Sequence, residues 1–180
     1  MKNLKGKIKY FLLDIYTSLL VKLEIFQTYL FKKPNFSFIE KNVALGSRPV
    51  NYELYKKYSI SAILNLRGEK DDDRNLIEKY KVDYLRIPVK DSFYPSFEDT
   101  KKAIEWIDKK VKEDKKVLIH CKSGKGRSPF LACCYLLSKG YNLEEALLLI
   151  RSRRKMVLLN SIQLEALNSF LNELKFKEKK

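Results

Sequence analysis

A cysteine and an arginine six positions apart frame the most reactive stretch of this 180-residue chain, His120-Cys121-Lys122-Ser123-Gly124-Lys125-Gly126-Arg127-Ser128. A thiol, two lysines, two glycines and a guanidinium in so short a run suit an oxyanion of tetrahedral size. Amides of a glycine-rich loop can turn inward as an anion-binding nest, and a helix opening at its end adds free N–H groups and a positive dipole. Gly124 and Gly126 supply the positive φ angles and close backbone approach that such a nest needs. Arg127 can fork two donors onto two oxygens of one phosphate. Cys121 sits at the floor, where the same positive field should hold its pKa below the usual value of about 8.5 and favour the thiolate. The expectation is a nucleophile inside a phosphate cradle.

Such a cradle needs a strand before it and a helix after it. Val117-Leu118-Ile119 is an apolar run of strand length. The run from Pro129 has helix length, with proline at a favoured first position and Gly140 as its stop. Further strands are expected at Val43 to Leu45, Ile60 to Leu66 and Val82 to Val89. Helices are expected from an Asn51 cap to Tyr58, from Asp71-Asp72-Asp73 onward, from Phe97 to Val111, and over 143–152 and 160–174. This alternation implies an α/β fold with a mainly parallel central sheet of four to five strands flanked by helices.

In such sheets, ligand groups gather beyond the strand C-terminal ends. Three expected strands run out at Arg67, Asp91 and Cys121, which places all three on one rim. Asp91 lies thirty residues before the cysteine and is the carboxyl best placed to protonate a leaving oxygen. Glu98 and Asp99 are rivals, but they read as the capped first turn of the Phe97 helix. His120 is the only histidine. It precedes the nucleophile on the strand, so its side chain should point away from it. Cys133 and Cys134 lie on the apolar helix and read as core.

Residues 1–33 stand apart from the domain expected over 34–180. Met1 to Lys9 is basic, and Leu12, Ile15 or Tyr16, Leu19, Leu23, Phe26 and Leu30 recur at helical spacing. Asp14, Lys22 and Glu24 argue against a membrane span, at a cost of about 2.5–3.5 kcal/mol for each central charge. An extra N-terminal helix docked on the domain, one lying in a membrane interface, and a poor anchor all stay open. The three cysteines make no disulfide framework, so a reducing, cytoplasmic setting is expected, with the inner face of a membrane as a peripheral site. A formal charge of +15 favours anionic partners. Nucleic-acid binding would rest on that charge alone and is not expected.

His120-Cys121-x5-Arg127-Ser128 resembles the signature of the cysteine-based protein tyrosine phosphatases, in their dual-specificity branch. The likeness covers roughly residues 40–173. The loop Cys-Lys-Ser-Gly-Lys-Gly-Arg is similar to that of the tensin-related phosphoinositide phosphatases, which also carry two lysines there. Leu45-Gly46-Ser47-Arg48-Pro49 and Leu64-Asn65-Leu66-Arg67 resemble the start of bacterial and lipid-directed members. Pro129 departs from the common Gly or Ala without removing a catalytic group. The resemblance implies Cys121 as nucleophile, Arg127 as phosphate ligand, Asp91 as general acid, Ser128 as donor to the thiolate and His120 as a brace for the loop. Lys122, Ser123, Gly124, Lys125 and Gly126 would bind substrate, with Arg67 and Arg48 extending the basic rim. Gln163 matches in position a water-orienting residue of some relatives, but an exposed helical glutamine is the plainer reading. Arg151, Arg153 and Arg154 read either as basic surface or as charges complementing a helix C-terminus.

The function expected is phosphomonoester hydrolysis through a phosphocysteine. No cofactor or metal is expected, because no carboxylate cluster has metal-ligand spacing. The partner would be a phosphorylated substrate, either a phospholipid headgroup or a phosphoprotein, met by a monomer that an anionic membrane surface engages through the N-terminal helix. The two loop lysines favour lipid. A non-catalytic phosphate-binding adaptor and a sulfur-transfer or arsenate-reducing enzyme are the rivals from other classes.

Overall fold

The computed structural model describes residues 34–178 together with Ile15, Tyr16, Leu19, Lys22, Leu23, Phe26 and Leu30. Five strands make its sheet: β1 (Phe36–Glu40), β2 (Val43–Gly46), β3 (Ile60–Arg67), β4 (Asp83–Val89) and β5 (Lys116–His120). They lie in the order β1-β2-β5-β3-β4. β1 and β2 pair antiparallel, and every other pair is parallel. The sheet is therefore mixed but mostly parallel. β1 is the strand that the sequence reading lacks, being a short edge strand only two residues before β2.

Side-chain alternation along each strand builds two cores. Val117 and Ile119 of β5 join Leu64 and Leu66 of β3 on one face. That face is covered by α3 (Phe97–Lys112), α4 (Arg127–Ser138), α5 (Leu143–Arg153) and α6 (Ser161–Glu178). Leu118 and Ile63 face the other way, beneath α1 (Tyr52–Lys57) and α2 (Arg74–Lys79). β5 lies between β2 and β3, so it delivers its C-terminal loop from the middle of the sheet.

Two local expectations change. The helix after the loop starts at Arg127, not Pro129, so proline is its third residue. Proline is accepted there because the first-turn N–H groups have no helical partner to lose. The acidic run before α2 splits into separate duties. Asp73 caps the helix by accepting from the Asn75 and Leu76 amides, Asp71 pairs with Arg74 at 2.8 Å, and Asp72 is buried.

The basic stretch 1–9 and most of the amphipathic helix expected over 1–33 lie outside the described residues. The described positions of that segment are helical and keep their apolar side chains exposed, from 49% at Ile15 to 64% at Leu19. Among the described residues, no helix is long and apolar enough to cross a membrane.

Candidate active site

The loop from Cys121 to Gly126 joins β5 to α4 and wraps the cysteine. Cys121 is 2% exposed. Its Sγ lies 3.4 Å from Ser128 Oγ and accepts from the Gly124 amide at 3.3 Å. Burial alone would raise the thiol's pKa, but hydrogen bonds from Ser128 and the loop amides and the charge of Arg127 outweigh it and lower it. Ser128 Oγ also lies 3.2 Å from the Gly46 carbonyl, to which it can donate. A rotating hydroxyl can therefore bond that carbonyl beside a neutral thiol and turn toward the sulfur of a thiolate. Cys133 and Cys134 behave oppositely: burial pushes the first up to about 12 and the second well above its usual value.

Gly124 has φ +73, and a Cβ there would lie 2.6 Å from the Gly46 carbonyl carbon, so both reasons for glycine apply. Gly126 differs from expectation. Its φ is −125, and what it provides is room, since a Cβ would press on the Gln163 amide at 3.3 Å.

Arg127 is the first residue of α4, and its side chain is buried. Nη1 donates to Glu69 Oε2 at 2.7 Å and to the Val89 carbonyl at 2.9 Å, and Nη2 donates to Glu69 Oε1 at 3.1 Å. Nη2 also lies 3.0 Å from Asp91 Oδ1, whose side chain is 74% exposed. Asp91 thus reaches the guanidinium, whereas Asp99 is engaged with Ser96 at the start of α3.

Glu69 follows β3 in the rim position where Arg67 was expected to act. The forked bond from Arg127 holds its carboxyl down at about 2 against the opposing effect of burial. A carboxyl below its ordinary 4.5 stabilises the fold fully above that value and withdraws the contribution as pH falls through about 2. Glu69→Gln should therefore flatten the acid limb of a Tm-against-pH curve between about pH 5 and 2. Parallel curves for the variant and the parent would contradict this. Asp71, also held near 2, keeps part of the slope.

The structure corrects the role given to Arg67. Its guanidinium is buried and paired with Asp72, and it also donates to Asn65 and the Asp71 carbonyl. Its Nε and Nη2 are committed to these partners. Asp72 in turn meets His120 Nε2 at 2.7 Å, and His120 Nδ1 donates to the Cys121 carbonyl at 3.1 Å. His120 does point away from the sulfur, on the face shared with Leu118, and Arg67–Asp72–His120 forms a buried chain ending on the loop's first carbonyl.

A second brace arrives from the other side. Arg154, at the end of α5, is buried and donates to the Gly124 carbonyl at 2.9 Å, the Ser123 carbonyl at 3.2 Å and Asn35 Oδ1 at 2.7 Å. Arg151 and Arg153 remain exposed on α5, so the arginine cluster does not act as one surface. Gln163 also departs from its exposed reading. It is 1% exposed, and its amide donates to the Phe93 carbonyl at 2.9 Å. Lys122 is exposed, Lys125 and Ser123 are half-buried, and the Arg48 amide donates to the Lys122 carbonyl at 3.4 Å. Glu69 was the residue that sequence reasoning missed, and Arg154 was named there only as basic surface or as a charge at a helix C-terminus, not as a brace for the loop. Position just past a strand end was the one available signal for Glu69. No group of three His, Cys, Asp or Glu among the described residues could hold a metal ion.

A buried thiol with a lowered pKa, bonded by a loop amide and a serine hydroxyl and followed six residues on by a buried guanidinium, defines a class. The chain matches the model of the dual specificity phosphatase catalytic domain over residues 43–173 and belongs to that family. It is 29% identical over 138 residues to the phosphatidylglycerophosphate phosphatase PTPMT2 of Arabidopsis thaliana, covering 73% of this chain and 60% of that protein. It is 30% identical over 130 residues to the dual specificity protein phosphatase Mpk3 of Drosophila melanogaster, covering 69% of this chain and 30% of that protein. The chain thus spans less than two thirds of the length of either relative. A crystal structure of Tk-PTP in the active form is similar with a TM-score of 0.71 at 33% identity, covering 77% of this chain and 97% of that one.

Proposed function

We propose that the protein hydrolyses phosphomonoesters on anionic lipid headgroups through a phosphocysteine, without a metal. The observation that carries the chemistry is the lowered pKa of Cys121 beside a guanidinium that Asp91 also reaches. The Cys121 thiolate attacks phosphorus in line, the S–P bond forms, and the bond to the leaving oxygen breaks. Arg127 and the loop amides bind the equatorial oxygens as negative charge spreads over them. Asp91 serves as the acid that passes a proton to the leaving oxygen. Its carboxylate then takes a proton from water, whose oxygen displaces the sulfur and releases inorganic phosphate.

Lipid is favoured over phosphoprotein by Lys122 and Lys125, which add charge beside a phosphate that Arg127 and the amides already hold. The name of the Arabidopsis relative points the same way. We further propose that the exposed apolar positions from Ile15 to Leu30 lie in an anionic membrane interface, bringing a monomeric catalytic domain peripherally to the cytoplasmic face. The deciding experiment measures phosphate release in EDTA from vesicles carrying phosphatidylglycerophosphate or a phosphoinositide, against phosphotyrosyl and phosphothreonyl peptides. Faster turnover of a phosphopeptide at equal phosphate concentration would move the assignment to phosphoprotein, the class named for the Drosophila relative.

The acid assignment carries its own prediction. Asp91→Ala should slow phenyl phosphate about 100-fold and para-nitrophenyl phosphate less than about tenfold, because a good leaving group needs no proton. Equal losses on the two esters would refute it.

A further inference from the structure

Asp91 is aimed by a turn that is itself held from α6. The Phe93 amide donates to the Lys90 carbonyl at 3.1 Å, closing a turn with Asp91 and Ser92 at its centre. Ser92 adopts φ +67, a conformation that a side chain disfavours and that the surroundings must hold in place. Burial does not supply that hold, since the Asp91 side chain is largely exposed.

Two side-chain amides do. Asn160 Nδ2 donates to the Ser92 carbonyl at 2.8 Å, and Gln163 Nε2 donates to the Phe93 carbonyl at 2.9 Å. The same two residues cap α6 reciprocally. Asn160 Oδ1 accepts from the Gln163 amide at 2.9 Å, and Gln163 Oε1 accepts from the Asn160 amide at 3.3 Å. Each side chain thus spends its oxygen on the helix and its nitrogen on the acid turn. A helix cap alone requires only the oxygens, and aspartate or serine at 160 would provide one equally well. The carboxamides are needed because something must be donated outward.

We propose that Asn160 and Gln163 form a latch that positions the general acid, with the α6 capping box serving as its fixed half. Gln163 is the inner member, since its amide also borders Gly126 of the cradle. Asn160 is the outer member and lies away from the phosphate loop in these contacts. The latch acts through Asp91 and touches no reacting atom, so both are positioning residues. The inference rests on the acid role proposed for Asp91.

The test replaces Asn160 by Asp and, separately, by Ser in the full chain. Both keep a cap acceptor and lose the carboxamide N–H that reaches Ser92, since the shorter serine hydroxyl does not span that distance, and the serine variant adds no charge. The expected result is a loss of about tenfold or more in kcat for phenyl phosphate, with para-nitrophenyl phosphate changed less than about threefold, since a misplacement of about 1 Å can cost up to 100-fold. Tm and the inhibition constant for tungstate should stay near the parent values. In an Asp91→Ala background, Asn160→Ser should cost nothing further, because the latch has no acid left to place. Equal loss on both esters, or an undiminished loss in the Asp91→Ala background, would show that Asn160 serves only the helix and would overturn the latch. If Asp91→Ala slows both esters alike, the acid assignment itself falls, and the latch with it. Leaving-group dependence in Asp91→Ala but in neither Asn160 variant removes the latch and leaves the acid standing.

Discussion

Cys121→Ser is expected to abolish phosphate release, with a fall in kcat on the order of 10⁴-fold or more, the scale on which a lone nucleophile is lost from a covalent mechanism. The reason lies in the site's acid–base balance. The cradle stabilises negative charge on a thiol, whose unperturbed pKa of about 8.5 already lies far below that of an alcohol. It cannot do the same for a serine hydroxyl, and the described site holds no second base within hydrogen-bond reach of Cys121 Sγ. The change is small in volume, and Ser128 Oγ and the Gly124 amide keep an oxygen to bond. The loop should therefore stay formed and still bind tungstate. Rapid quench with a phosphorus-labelled aryl phosphate should trap phosphoenzyme in the parent and none in the variant. Retained turnover in Cys121→Ser would end the covalent reading. Tungstate binding with no turnover in the parent chain itself would make the protein an adaptor.

Arg127→Lys is expected to lower kcat about 10³-fold with a smaller change in KM. Removing one preorganised donor from a developing oxyanion costs roughly 10²–10³-fold, and this change removes a planar fork that an ammonium cannot reproduce. It also strips Glu69 of a bidentate partner and Asp91 of its contact with the guanidinium. Two carboxylates would then face an incoming phosphate with one point charge between them. Kinetics of the lysine variant with and without Glu69→Gln would separate the two effects. Part of the loss should return in the double variant if carboxylate repulsion contributes, while the lost fork should not. A lysine variant within tenfold of the parent would mean that the loop amides alone carry the phosphate.

How far the sequence reaches depends on how far apart the partners lie along the chain. The strand, the glycine loop and the helix opening are contiguous, so the types and spacing of residues 117–128 sufficed to nominate a phosphate cradle with Cys121 at its floor. The placement of His120 was legible for the same reason: strand alternation is a local rule. Asp91 could be nominated because parallel strands share one C-terminal rim.

Tertiary structure decided the rest. Arg67 and Glu69 are two residues apart, and either could have met the phosphate site. The fold turns Arg67 back to Asp72 and sends Glu69 to Arg127, 58 residues away. Arg154 reaches across 30 residues to Gly124, and Gln163 across 70 to Phe93. These pairings follow from a strand order in which β5 lies between β2 and β3 and from helices folding back over one face. Composition and periodicity carry no record of that order. The sequence by itself nominated Cys121 as the reactive group and a tetrahedral oxyanion as its ligand. Only the packed chain decided which charges brace that site, because a charge at a strand end is committed by whichever neighbour the sheet brings beside it.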